Sequence, residues 1–67
     1  MSYYVEMIRV NSSFIRAVGY SGGTLYVEFE TGETYRHPGC PYYHFEGLLN
    51  APSKGAYYNE QIRGKYT

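Results

Sequence analysis

Along the first half of the chain, apolar and polar residues alternate with the period of a strand. From Thr24 to Glu30, Leu25, Val27 and Phe29 fall on one side, and Thr24, Tyr26, Glu28 and Glu30 on the other. That is the pattern of a half-buried β-strand. Upstream, Ile15-Arg16-Ala17-Val18-Gly19-Tyr20 is a short apolar run ending at Ser21-Gly22-Gly23. Downstream, Thr31-Gly32 separates the alternating segment from Glu33-Thr34-Tyr35-Arg36-His37. Glycine at such a break accepts the positive φ that tight hairpins demand, so the three segments predict an antiparallel meander. Tyr4 to Val10 predicts a further edge strand, with Asn11-Ser12-Ser13 as the turn that follows it.

The second half changes period. Pro38-Gly39 breaks the last strand, and Pro41 suits the first helical position, where its missing N–H costs nothing. Tyr42, Phe45, Leu48 and Leu49 then recur at three- and four-residue spacing, an apolar stripe able to cover the Leu25/Val27/Phe29 face. Pro52 ends this helix and Ser53 is placed to cap a second. The second helix presents Ala56 or Tyr57, Tyr58 and Ile62, and Gly64 closes it in the left-handed conformation. The fold class expected is α+β: a three- to four-stranded antiparallel meander with two short C-terminal helices packed on one face. With no repeat, linker or low-complexity tract, residues 1–67 read as a single domain.

A chain of 67 residues buries only about 60% of the surface its unfolded form exposes, too little for a deep, dry catalytic pocket. The expectation is therefore a non-catalytic module. The single cysteine, Cys40, cannot staple the fold by an internal disulfide, which fits a reducing cytoplasm. No apolar stretch is long enough for a membrane span and no export leader is visible. Six basic residues balance six acidic ones, so broad electrostatic coating of nucleic acid is not expected. The charge is uneven, however. Three arginines against five glutamates leave about −2 over residues 1–50, while Lys54, Arg63 and Lys65 against Glu60 give about +2 over residues 51–67.

Several segments, taken in order, carry a resemblance. They are Ile8-Arg9-Val10 followed by Ser12-Ser13, then Ala17-Val18-Gly19-Tyr20, then Leu25-x-Val27-x-Phe29 with Gly32 and Tyr35. After these come Leu48-Leu49-x-Ala51-x-Ser53-x-Gly55, Tyr57-Tyr58-Asn59 and Ile62-Arg63. From about Met7 to Tyr66 the chain resembles the KTSC domain, a small domain found at the C-terminus of some lysyl-tRNA synthetases and as free-standing bacterial and phage proteins. The resemblance implies an intracellular module, with RNA binding as its implied function. One departure stands out: the family's central Tyr-x-Tyr is here Tyr35-Arg36-His37.

Ten tyrosines and no tryptophan make aromatic rings the main candidate chemistry. Rings flanked by cations suit single-stranded nucleic acid, because bases stack on the rings while Lys and Arg hold the phosphates. On this reading Tyr26, Tyr35 and Tyr57 stack and Arg36, Lys54, Arg63 and Lys65 contact the backbone of an RNA or a nucleotide. Arg16, Tyr26 and Arg36 are expected to share the sheet face away from the helices, where Glu28 and Glu30 oppose phosphate. The alternative is that the tyrosines are bulky core filler, or the interface of a homodimer or of a complex with another protein. The Ala51-Pro52-Ser53-Lys54-Gly55 turn offers amides, a hydroxyl and a lysine to an anion, and equally reads as a plain helix cap. His37-x-x-Cys40-x-x-x-His44 has donors suited to zinc but no evident fourth ligand. It reads as a small apolar cysteine in a turn with two surface histidines, and neither metal nor cofactor is expected. Glu28 and Glu30 read as charges guarding a strand edge rather than as an acid/base pair.

Overall fold

In a computed structural model, which describes residues 5–66, four antiparallel strands follow one another in sheet order. They are β1 (Ile8–Arg9), β2 (Ile15–Ser21), β3 (Thr24–Phe29) and β4 (Thr34–Pro38). Helix α1 (Tyr42–Asn50) and the short α2 (Lys54–Tyr57) follow, and α2 runs directly into a π-helical turn, Tyr58–Ile62. The architecture is the α+β plan read from the pattern, with one difference at each end. The first strand is only two residues long, and Tyr4 lies outside the described residues. The second helix widens to π geometry, the Arg63 amide reaching back five residues to the Tyr58 carbonyl at 2.9 Å.

The hairpins follow from their glycines. Gly22 and Gly23, at φ +58° and +80°, make the two-residue turn between β2 and β3. Between β3 and β4 the Gly32 amide donates to Phe29 O and the Phe29 amide to Glu33 O. This three-residue loop closes with Gly32 at φ +99°, where a side chain would be strained.

Leu25, Val27 and Phe29 are buried as the alternation requires. Ile15 and Val18 are also buried and lie opposite Phe29 and Val27, yet three residues apart they belong to opposite faces of a regular strand. A bulge between Ile15 and Ala17 resolves the conflict: the extra residue, Arg16, shifts the register by one and returns Val18 to the core face. Gly19, on the outer face, is covered by the N-terminal segment. A Cβ there would meet Met7 Sδ at 2.7 Å and the Glu6 carbonyl at 2.9 Å.

Phe45 and Leu48 of α1, with Tyr58 and Ile62 of the π turn and Cys40 before α1, seal the sheet. The helical stripe differs from expectation in two positions. Tyr42 is half exposed and leans on Tyr20, and His44 takes the buried place. Pro41 is the residue before the helix, extended at ψ 148°, not its first helical residue. Both histidines expected at the surface are in fact interior, at 4% exposure for His37 and 5% for His44. Glu28 and Glu30 guard no edge, because β3 is an inner strand and both carboxylates pair with Arg16 at 3.6 and 3.7 Å.

Candidate functional site: an aromatic groove

Tyr35 and His37 alternate along β4 and share its inner face, opposite Val27 and Leu25, and Glu33 stands two residues before Tyr35, at the end of the loop that leads into the strand. Beside them the sheet presents Phe29, and the π turn adds Tyr58 and Asn59, with Arg63 just after it. Phe14, just before β2, completes the wall of an open groove of about 390 Å³. The floor is aromatic and closed. Phe29 meets Tyr58 at 5.3 Å and 80°, and Tyr58 meets His37 at 5.5 Å. Phe14 and Tyr35 each lie 5.2 Å from Phe29 and remain 46% and 49% exposed. Leaving two large rings half in water forgoes burial free energy that a small core needs, at about 25 cal/mol per Å².

The floor is fixed by hydrogen bonds. His37 Nδ1 faces the Tyr66 backbone carbonyl, an acceptor, so Nδ1 carries the proton and donates. Nε2 is then the acceptor for the Tyr58 hydroxyl at 2.9 Å. In the position where the resemblance places a second tyrosine, the imidazole thus ties strand, π turn and C-terminal segment together. Burial pushes the Tyr58 phenol up, the nearby Tyr35 adds to this, and Arg63 draws it the other way. Arg63 therefore acts electrostatically on the floor of the groove. A parallel cluster lies around α1. His44 Nδ1 meets the Tyr57 hydroxyl at 3.0 Å, and the Tyr66 hydroxyl meets Nε2 at 3.3 Å. Burial pushes His44 down and Tyr57 up, so the imidazole stays neutral and the phenol protonated. Among the described residues, every buried side-chain nitrogen or oxygen has a partner.

The seven residues singled out from the sequence are not gathered in one place. Tyr35 and Arg63 share the groove. Tyr26 and Arg36 face each other across β3 and β4 on the opposite side of the sheet. Tyr57 has its hydroxyl on His44, and its ring fills the space above Gly47. The Lys54 ammonium donates to Ala51 O at 2.7 Å and Leu49 O at 3.4 Å, closing the C-terminal end of α1. Lys65 is exposed and lines neither groove nor turn. The turn read as an anion site does border a polar depression of about 330 Å³ with Asn11, Ser12 and Ser13. Two of its three hydroxyls are used by the fold: Ser12 accepts from the Phe14 and Ile15 amides, and Ser53 from the Ala56 amide.

Phe14, Glu33 and Asn59 were not among the residues the sequence singled out for binding. Phe14 falls in a turn, outside any periodic stripe. Its signal was Gly55, whose absent side chain leaves room for the ring: a Cβ there would lie 3.2 Å from Phe14 Cδ2. Among the described residues no three His, Cys, Asp or Glu side chains are placed to hold a metal ion. Burial also raises the pKa of the Cys40 thiol, which keeps it protonated. No helix of the described residues is long and apolar enough to cross a membrane.

Comparison with known proteins agrees with this fold. A crystal structure of a KTSC domain protein from Yersinia pestis superposes with a TM-score of 0.88 at 29% identity, covering 96% of this chain and 93% of that one. Lysine–tRNA ligases of Trichormus variabilis and Nostoc punctiforme are 37% and 36% identical over 62 residues, 90% of this chain. The match spans 11% of each ligase's length. The sequence profile of the KTSC domain matches residues 11–66, which takes in every element from β2 to the π turn, and the chain belongs to the KTSC domain family.

Proposed function

We propose that the domain is a non-catalytic module that binds single-stranded RNA, taking an unstacked base into the aromatic groove. The observation that carries the reading is the pair of half-exposed rings, Phe14 and Tyr35, standing over the Phe29 floor with Arg63 at the rim. A base stacked on such rings gains about 1–3 kcal/mol for each contact, and a guanidinium beside it takes the adjoining phosphate. The relatives named as lysine–tRNA ligases, enzymes of a tRNA, support RNA over other polyanions. Labelled single-stranded RNA titrated at two salt concentrations tests it. Tyr35→Ala should weaken binding about 5- to 150-fold. No binding at low salt removes the reading.

A second reading has its own observation. Tyr43 on α1 is 62% exposed beside Tyr42, away from the groove, and exposed tyrosines are enriched at protein interfaces. A dimer that appears with concentration in sedimentation and is abolished by Tyr43→Ser favours a homodimer module instead.

A further inference from the structure

We propose that the groove selects guanine, an inference that rests on the RNA reading above and names the base. Its basis is Glu33, a carboxylate in the wrong place for a site that only holds phosphate. Glu33 ends the loop before β4, and with Tyr35 and His37 of that strand and Arg63 it lines the groove. Among the described residues neither Glu33 nor Arg63 belongs to an ion pair; both pairs present are Arg16 with Glu28 and Glu30. The backbone at Glu33 is also fixed. Its carbonyl accepts from the Phe29 amide at 2.8 Å, and the loop before it closes through Gly32.

A carboxylate only accepts hydrogen bonds, and it accepts them best in pairs on its two oxygens. Guanine alone among the RNA bases presents two adjacent donors on its Watson–Crick edge, the ring N1–H and the 2-amino group. Adenine and cytosine set an amino group beside an unprotonated ring nitrogen whose lone pair repels the carboxylate. Uracil sets one N–H between two carbonyls. A guanine stacked between Phe14 and Tyr35 meets Glu33 with its donor pair, leaving its 6-oxo group for the Asn59 amide on the facing wall and its phosphate for Arg63. Leaving a polar group of either partner unpaired in such a site is what gives discrimination.

The test uses short oligoribonucleotides of uridine with one central guanosine, inosine, adenosine or cytidine, titrated into the full chain at low salt. The guanosine oligomer should bind about tenfold tighter than the adenosine and cytidine oligomers, with inosine, which lacks the 2-amino group, in between. Glu33→Gln, at an exposed loop position that leaves the fold intact, should level these affinities without abolishing them. Equal binding of all four by the native chain, or a guanosine preference that survives Glu33→Gln, overturns the inference while the RNA reading stands. Failure of all four to bind overturns both.

Discussion

Replacing Gly47 with alanine sets two effects of known size against each other. Gly47 lies inside α1, where alanine is favoured over glycine by about 0.8–1 kcal/mol through backbone entropy. The space its Cβ would need is occupied by the Tyr57 hydroxyl and the adjoining ring carbons. The ring cannot simply rotate away. It has two side-chain torsions, and its hydroxyl holds His44 Nδ1 at 3.0 Å in a site where the imidazole is 5% exposed. Moving it costs about 1–3 kcal/mol for overpacking, plus about 1–3 kcal/mol if the buried nitrogen is left unpaired. With both costs, about 2–6 kcal/mol together, the clash wins, so Gly47→Ala should destabilise the domain by roughly 1–5 kcal/mol, a sizeable part of the ~3–10 kcal/mol expected for a chain of this length. Urea unfolding followed by far-ultraviolet circular dichroism measures it as a fall in midpoint at unchanged slope. The sharper measurement is the same substitution in a Tyr57→Ala background. There the obstruction is gone, only the helix preference remains, and Gly47→Ala should become stabilising by up to about 1 kcal/mol. If alanine at position 47 is already stabilising in the native background, the reasoning about this contact is wrong.

Other expectations follow from the same contacts. Tyr58→Phe leaves His37 Nε2 without its 2.9 Å partner at a site 4% exposed, so it should cost about 1–3 kcal/mol in urea unfolding. A loss below about 0.5 kcal/mol contradicts that bond, since it would fall short of even a typical hydrogen bond's contribution. Stability should be greatest between two pH limits. Burial lowers His44 from its ordinary 6.5, so as pH falls through that value the unfolded chain takes a proton the native one resists, and stability declines. Burial raises Tyr57 and Tyr58 from their ordinary 10.0, so above that pH the unfolded phenols ionise first and stability declines again. Urea midpoints that do not change from about pH 7.5 to pH 5 contradict the acid limb. Lys54→Met removes the cap on α1 and should cost about 0.5–1.5 kcal/mol of stability with little change in RNA affinity. Arg63→Met should do the reverse, lowering affinity and reducing the salt slope by about one. Equal effects of the two on binding would contradict the purely structural role read for Lys54 from its contacts at the end of α1.

The groove and the fold share their parts, which explains why its floor is so well tied down. Tyr58 packs on Phe29 as a core residue and also borders the groove, and His37 couples it to the carbonyl of Tyr66. A base held on Phe14 and Tyr35, as proposed, would therefore meet a floor already ordered by folding, and the freedom lost on binding would be that of the exposed side chains around it, Phe14, Tyr35, Glu33, Asn59 and Arg63.

What the sequence determined by itself is what depends on near neighbours. The alternation from Thr24 to Glu30, the Gly22-Gly23 and Gly32 turns, the Ser53 cap and the Gly64 stop all appear in place, because each is set by sterics or hydrogen bonds within a few residues. Tertiary structure decided the rest. The bulge at Arg16 exists because Ile15 and Val18 must both meet β3's buried face, a demand invisible along β2 alone. His37 and His44 read as surface residues until their partners Tyr58, Tyr57 and Tyr66, 13 to 29 positions away, satisfy their nitrogens and allow burial. Phe14 and Arg63 likewise reach one groove only because chain closure brings the start of β2 against the end of the π turn. Local physics writes a period or a turn into the sequence, whereas a contact between distant side chains leaves no period to read and is settled only when the core packs.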